Sequence, residues 1–265
     1  MVRNVRFGCV PFLLKETAPN EKALRSAGSG WCQYRRAMRF LKYMPLSTSN
    51  FLDLSQTEHT ALFEEGRPMW DALKGLQDYF ARGSFPTGKH TLIGKPYIGE
   101  NVFIGEGTVI EEGAMILGPA VIGRNCHIRH GAYIRDCVVV GDSVAIGHSC
   151  ELKACIVFND CQISHFNYVG DSILGYKAHL GAGVKISNVR LMPGNINIRF
   201  NGEEIDTELK KFGAVMGDHA KVGCNAVLCP GSIIGRNSVV YPCLNWRGVL
   251  PSNSIAKQNG FFNIK

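Results

Sequence analysis

Residues 98–150 read IGENVFIGEGTVIEEGAMILGPAVIGRNCHIRHGAYIRDCVVVGDSVAIGHSC. An aliphatic residue recurs every sixth position, at Ile98, Ile104, Ile110, Ile122, Ile128, Ile134, Val140 and Ile146, commonly followed by glycine. Four places after each stands a small or medium residue, such as Thr108, Ala114, Cys126, Ala132 or Cys150. A hexapeptide period sustained this long signals a parallel β-helix: each unit makes one short strand and one turn, and three units close a triangular coil of about 18 residues. The large aliphatic and the small residue point inward and stack into columns. The phase slips by one residue after Leu152, giving Val157, Ile163 and Val169, and again to Leu174, Leu180 and Ile186. After a break it resumes at Met216, Val222, Leu228 and Ile234. On this reading 98–188 makes roughly five coils and 216–245 between one and two more.

Four segments follow. The repeat domain runs over 93–250, interrupted at 189–213 by a stretch without inward period, in which NINIRF is expected to be extended and Asn201-Gly202 to turn. A long excursion from a repeat points to function or to an oligomer contact. Residues 44–92 are expected to form a short helical cap. Within it one helix is predicted over 61–82, with Pro68 in its first turn and Trp70, Leu73, Leu76 or Gln77, and Phe80 along one side, covering an open end of the coil. Residues 1–43 are expected to be a weakly ordered basic segment, and 251–265 a tail.

Composition narrows the class. Of 265 residues, 45% are hydrophobic and 19% charged, which suits a well-cored protein and argues against disorder. No apolar run reaches the roughly 18 residues of a membrane helix. The net charge of +7 lies entirely in 1–43, with nine Lys or Arg against two acids, so 44–265 balances 20 against 20. A phosphate-backbone groove needs clustered charge on the domain itself, so no nucleic-acid partner is expected. The ten cysteines include no CxxC pair, and no secretory signal precedes them. They read as reduced core residues of a cytoplasmic protein, or of an organelle protein if 1–43 is a targeting peptide.

The period also predicts which polar residues stack. Arg135 and Lys153 each follow an aliphatic residue and are 18 apart, so they share a face in adjacent coils about 4.8 Å apart. Either an anion, phosphate or carboxylate, sits between them, or they are two solvated charges. His130, His148 and His165 share another column, which suits a divalent metal or one general base among turn residues.

The segment from Glu151 to Gly183, of the form E-L-K-x(11)-H-F-N-Y-V-G-D-S-x(7)-L-G-A-G, resembles the acetyltransferase domain of the bifunctional N-acetylglucosamine-1-phosphate uridylyltransferase/glucosamine-1-phosphate acetyltransferases. The resemblance runs from Arg135 through Asn188, returns after 216 and covers about half the chain. It implies an all-β fold, a left-handed parallel β-helix assembled as a homotrimer. It further implies acetyl-CoA as co-substrate, with no metal needed for acyl transfer, and a small sugar phosphate as acceptor, with no membrane partner. By the resemblance His165 matches the catalytic base. Arg135 and Lys153 match the groups that hold the sugar phosphate, and Tyr168 and Asn188 those that position the sugar. Ala182, Gly183 and Cys224 match the coenzyme A side. His179 stands where the family has Asn, Cys224 where it has Ser, and Val189 where it has Tyr. No glycine-rich nucleotide loop occurs near the N-terminus, so no uridylyltransferase activity is expected.

The function expected is acyl-CoA-dependent acylation of an amino-sugar phosphate or sugar nucleotide, with acetyl-CoA and glucosamine-1-phosphate as the leading pair. Two alternatives stand beside it. One is a non-catalytic trimeric sugar-nucleotide binding or regulatory domain, like the C-termini of related nucleotidyltransferases. The other is a metal-dependent hydratase of the carbonic-anhydrase type, using the histidine column.

Overall fold

The computed structural model describes residues 46–264, so the basic segment 1–43 lies outside the described residues. Nearly every strand is two to four residues long and pairs in parallel with its counterparts one coil before and after. The result is a left-handed parallel β-helix of about nine turns with three faces. The first face contains Gln162–Ile163, the second Tyr168–Gly170 and the third Ile173–Leu174. That is more turns than the six or seven the sequence reading counted. Thr91–Leu92 starts the coil, and Asn245–Trp246, Val249–Leu250 and Ser254–Lys257 extend it. Gly260–Asn263 then folds back antiparallel on Ser254–Lys257, so residues expected as a tail contribute two strands.

Inward positions stack in register: Ile128, Ile146, Ile163, Leu180, Val222 and Val240 form one column. Each is 1% exposed or less. The phase slips have a structural meaning. Leu152 pairs with Val169 and Val157 with Leu174, both 17 residues apart, so the turn between the second and third faces is one residue short there.

The small inward residue at the third-to-first corner also satisfies a turn carbonyl one coil on. Thr108 Oγ1 donates to the carbonyl of Gly123 at 2.7 Å, Cys126 Sγ to that of Gly141 at 3.1 Å and Cys161 Sγ to that of Gly175 at 2.9 Å. Ser238 Oγ does the same to Pro251 at 2.7 Å. Cysteine therefore acts here as a small apolar residue with a weak donor, and burial pushes the Cys126 thiol up to about 11.

Outward positions differ by face. On the first and second faces they are mostly half-buried or exposed, as at Gln162 and Lys185. On the third face Val139, Ile156, Ile173, Val215 and Ile233 point outward yet are fully buried. Residues 46–88 explain this, because they run along the flank of the coil rather than over an open end. Asp218 N–H donates to the Phe51 carbonyl (2.9 Å) and Asn159 N–H to that of Gln56 (3.2 Å). Phe63 meets Phe158 edge-on at 5.6 Å, and Phe85 meets Phe103 at 5.3 Å.

The single helix expected over 61–82 is not formed. Thr60–Leu62 and Met69–Leu73 are short 3-10 turns, and only Leu76–Arg82 is α-helical. Gly66 takes φ +76° and Pro68 an extended ψ of 140°, which breaks the run. The 3-10 turn then buries Met69, Trp70 and Ala72, with Trp70 against Phe212 at 6.1 Å. In the excursion, Asn197–Phe200 and Glu203–Asp206 form an antiparallel hairpin around Asn201-Gly202, as the sequence suggests. Ile196, Ile198 and Ile205 are buried, so the hairpin is a packed element. Leu191 and Met192, before it, are exposed.

Candidate functional site

The turn Ser164-His165-Phe166-Asn167 joins the first face to the second. Register pairs Ile163 with Leu180 and Leu180 with Val222, which stacks His165, Ala182 and Cys224 at one corner in successive coils. Gly183 N–H donates to the His165 carbonyl at 2.8 Å, and Asn225 N–H to that of Ala182 at 2.9 Å. Gly183 sits at φ +76°, where a Cβ would collide with Asn225 Oδ1. Buried Asn167 clamps the same turn, accepting from Val184 N–H at 2.7 Å. His165 is half-buried, and its imidazole has no hydrogen-bond partner among the described residues. The amide of Ala182 has none either, whereas that of Gly183 is occupied by His165. The imidazole and the N–H donor without partners therefore belong to turns in adjacent coils, whose backbones lie about 4.8 Å apart.

The histidine column does not converge as a ligand set. His130 and His148 stack with ring centroids 5.5 Å apart, but the next ring against His148 is Phe166, edge-on at 5.2 Å, and not His165. His148 Nδ1 donates to the His130 carbonyl (2.9 Å) and His130 Nδ1 to that of Glu112 (2.6 Å). Each ring is thus held flat against the coil by the turn below, and among the described residues no cluster of three His, Cys, Asp or Glu is placed to hold a metal. The metal reading of this column is withdrawn on that geometry.

The remaining candidates lie across the second face and at its corner with the third. Arg135 and Lys153 sit one coil apart, each with a carboxylate of its own chain as neighbour. Arg135 Nη1 bonds Glu151 Oε1 at 3.0 Å, and Lys153 Nζ lies 3.9 Å from Asp171 Oδ2. Each cation thus has a carboxylate of its own chain beside it and does not stand as an unpaired solvated charge. Asn188 Nδ2 donates to the Tyr168 hydroxyl at 3.2 Å and also to Asp171 Oδ2. Burial, with Asp171 second, raises the Tyr168 phenol above its ordinary pKa. Tyr168 stands directly above Glu151 on the outer side of the face. His165 thus occupies one edge of the second face and the Arg135–Lys153–Asn188 group the other.

Glu151, Asp171 and Lys185 are the site residues that motif reading left without a role. All three were reachable through the 17-residue register, which places Glu151 below Tyr168, Lys185 above it, and Asp171 next to Gly170, the strand partner of Lys153. His179 lies on the outer side of the first face, where burial and then Lys221 lower its pKa.

Comparison with known proteins agrees with this architecture. Residues 95–136 match the family of bacterial transferase hexapeptide repeats, and 116–208 match the GMPPB C-terminal domain. The chain is 33% identical over 92 residues to a bifunctional sugar-1-phosphate nucleotidylyltransferase/acetyltransferase of Sulfurisphaera tokodaii, covering 35% of this chain and 23% of that protein. It is 34% identical over 153 residues to an uncharacterized acetyltransferase, YaiX, of Escherichia coli, covering 58% of this chain and 66% of that one. The match thus spans about a quarter of the length of the bifunctional relative. A solved UDP-N-acetylglucosamine acyltransferase of Arabidopsis aligns over 64% of this chain and 67% of its own at 12% identity, with a TM-score of 0.38. The chain is thus similar, over about a third of its length, to bifunctional nucleotidylyltransferase/acetyltransferases.

Proposed function

We propose that this chain is an acyl-CoA-dependent acyltransferase acting on an amino-sugar phosphate or sugar nucleotide, with acetyl-CoA and glucosamine-1-phosphate as the leading pair. The observation that carries the reading is the corner at His165, where a half-buried imidazole without a partner lies one coil below the free amide of Ala182. The amine of the acceptor attacks the thioester carbonyl as neutral His165 takes its proton. The Ala182 N–H faces the oxygen on which negative charge develops. The carbon–sulfur bond then breaks, and the imidazolium returns the proton to coenzyme A thiolate. Ala182, Gly183 and Cys224 form the low ridge along which the acyl-CoA arm lies. Tyr168 and Asn188 position the sugar. The Arg135–Glu151 pair is about one-third exposed, so exchanging its carboxylate for a substrate phosphate costs little.

An open face binds small ligands poorly, since such sites are concave. A homotrimer, whose neighbouring copy supplies the opposite wall, is part of the proposal. The second reading, a non-catalytic sugar-nucleotide binding domain, is favoured by the match of 116–208 to the GMPPB C-terminal domain.

A mass-spectrometric transfer assay separates the two, with acetyl-CoA offered against a panel of amino-sugar phosphates. Gain of one acetyl group on one sugar with wild type, absent with His165→Ala, is the expected result. No acetylation of any sugar, together with no rise in melting temperature on adding acetyl-CoA, would transfer the case to the binding domain.

A further inference from the structure

Lys185 is assigned nothing by the motif. It follows the G-A-G turn and stands on the outer side of the second face, the direct strand partner of Tyr168. The side chain is exposed, but its head group is hydrogen-bonded to the coil. The ammonium folds back over the first-to-second corner, donating to the carbonyl of Phe166 and, at 3.2 Å, to that of Gly183. Phe166 is the residue after His165, and Gly183 the residue after Ala182. The charge of Lys185 is thereby held beside the turn that carries the candidate base.

Its partners distinguish it from the other two cations of this face. Arg135 has Glu151 and Lys153 has Asp171, so each is neutralised within the chain. Lys185 has two carbonyls and, among the described residues, no carboxylate. An ammonium carries three donors and no acceptor. Two are engaged, one is left, and the full positive charge is uncompensated. Holding the head in place removes much of the side-chain entropy that a free lysine loses when it binds.

We infer that Lys185 receives a phosphate or diphosphate oxygen of a substrate bound on the second face beside His165. This rests on the reading of that corner as a ligand site and adds the group that fixes the ligand's charged end. The phosphate can belong to the sugar acceptor or to coenzyme A. The role belongs to Lys185 more than to Arg135 or Lys153, because each of those already has a carboxylate partner within the chain. A phosphate reaching Lys185 displaces nothing.

The test is isothermal titration of the full chain, as wild type, Lys185→Met and Lys185→Arg. The ligands are inorganic pyrophosphate, glucosamine-1-phosphate against glucosamine, and coenzyme A against pantetheine. Loss of a charge-assisted hydrogen bond predicts that the Met variant binds phosphate-bearing ligands roughly tenfold more weakly. Glucosamine and pantetheine are expected to be unaffected, and the Arg variant to keep most of the affinity. A loss confined to glucosamine-1-phosphate places the phosphate on the acceptor, and one confined to coenzyme A places it on the donor. Equal losses with phosphate-free ligands, or failure of wild type to bind any phosphate ligand, would overturn the inference. So would a fall in melting temperature of the unliganded Met variant that accounts for the affinity change. If acyl transfer is absent from wild type while the Lys185 dependence persists, the acyltransferase reading falls and this one stands.

Discussion

Gly183 donates its backbone N–H to the carbonyl of His165 at 2.8 Å, so the turn that carries the candidate base is fastened to the turn carrying the candidate coenzyme A ridge. The bond exists because Gly183 takes φ +76° and carries no Cβ to strike Asn225 Oδ1. Gly183→Ala must disturb both. The expected cost is about 1–3 kcal/mol of stability, read by urea denaturation, and roughly a hundredfold in acetyl transfer, the usual result of a misplaced catalytic group. Gly202→Ala is the control. It shares a positive φ (+82°) in the excursion hairpin but has no atom within 4 Å of the added methyl, so stability alone should fall.

The first and third faces should answer differently to one substitution at the same hexapeptide position. Val139 faces outward on the third face and is fully buried. Val139→Lys buries an unpaired ammonium, and the soluble folded fraction should collapse. Gln162→Lys, at the equivalent place on the exposed first face, should change the melting temperature hardly at all.

The two ion pairs of the candidate site are unequal. Lys153 and Asp171 side chains are 17% and 15% exposed, while Arg135 and Glu151 are 36% and 35% exposed. Asp171→Ala leaves a mostly buried ammonium alone and also removes an acceptor of Asn188, so a loss of about 3 kcal/mol is expected in chemical denaturation. Glu151→Ala should cost no more than about 1 kcal/mol. Similar values for the two would show that burial does not set their worth.

Stability should fall in mild acid because of His59. Burial holds this imidazole at about 4, against an ordinary 6.5, while the smaller pull of Asp142 acts in the other direction. Between these values the unfolded chain binds a proton that the folded one refuses, so stability present above pH 6.5 is lost as pH falls toward 4. At about 1.4 kcal/mol per pH unit this amounts to roughly 3 kcal/mol. Denaturation midpoints of His59→Gln, which keeps an acceptor for the Tyr79 hydroxyl now 2.8 Å from Nδ1, should be flatter over that range. An unchanged acid limb would assign it to other groups. Asp218, whose pKa burial raises, works in the opposite sense as pH climbs above 3.8.

Thiol labelling should read the fold and the ridge together. Cys224 and Cys243 are exposed, whereas Cys126, Cys137, Cys150, Cys155 and Cys161 are buried. Burial raises the pKa of all five buried thiols. Brief iodoacetamide treatment of native protein followed by peptide mapping should modify Cys224 and Cys243 and leave those five intact. Coenzyme A should protect Cys224 if the acyl-CoA arm lies along the His165–Ala182–Cys224 column. Unaltered labelling of Cys224 with coenzyme A bound would move the arm elsewhere.

Much of this was legible in the chain, for a physical reason. A solenoid coil contacts only its neighbours, so the inward column, the phase slips after Leu152 and the stacking of His165 with Ala182 all follow from counting residues. The same count placed Arg135 beside Lys153. It could not show that Glu151 and Asp171 would answer those charges, because that depends on which way long side chains lean across the face. Nor could periodicity locate residues 46–88, which have no repeat of their own. Their broken 3-10 path is dictated by the aliphatic outer side of the third face that they cover, together with Gly66 and Pro68. The histidine column shows both limits at once: its backbone stacking was countable, but the choice of Phe166 over His165 as the ring against His148 was not. Sequence alone determined the coil, its register and the order of residues along each corner, since those are set by backbone pairing at fixed spacing. Tertiary structure decided which faces stay open, which charges are cancelled and that Lys185 keeps its own, since those are set by side chains meeting across coils.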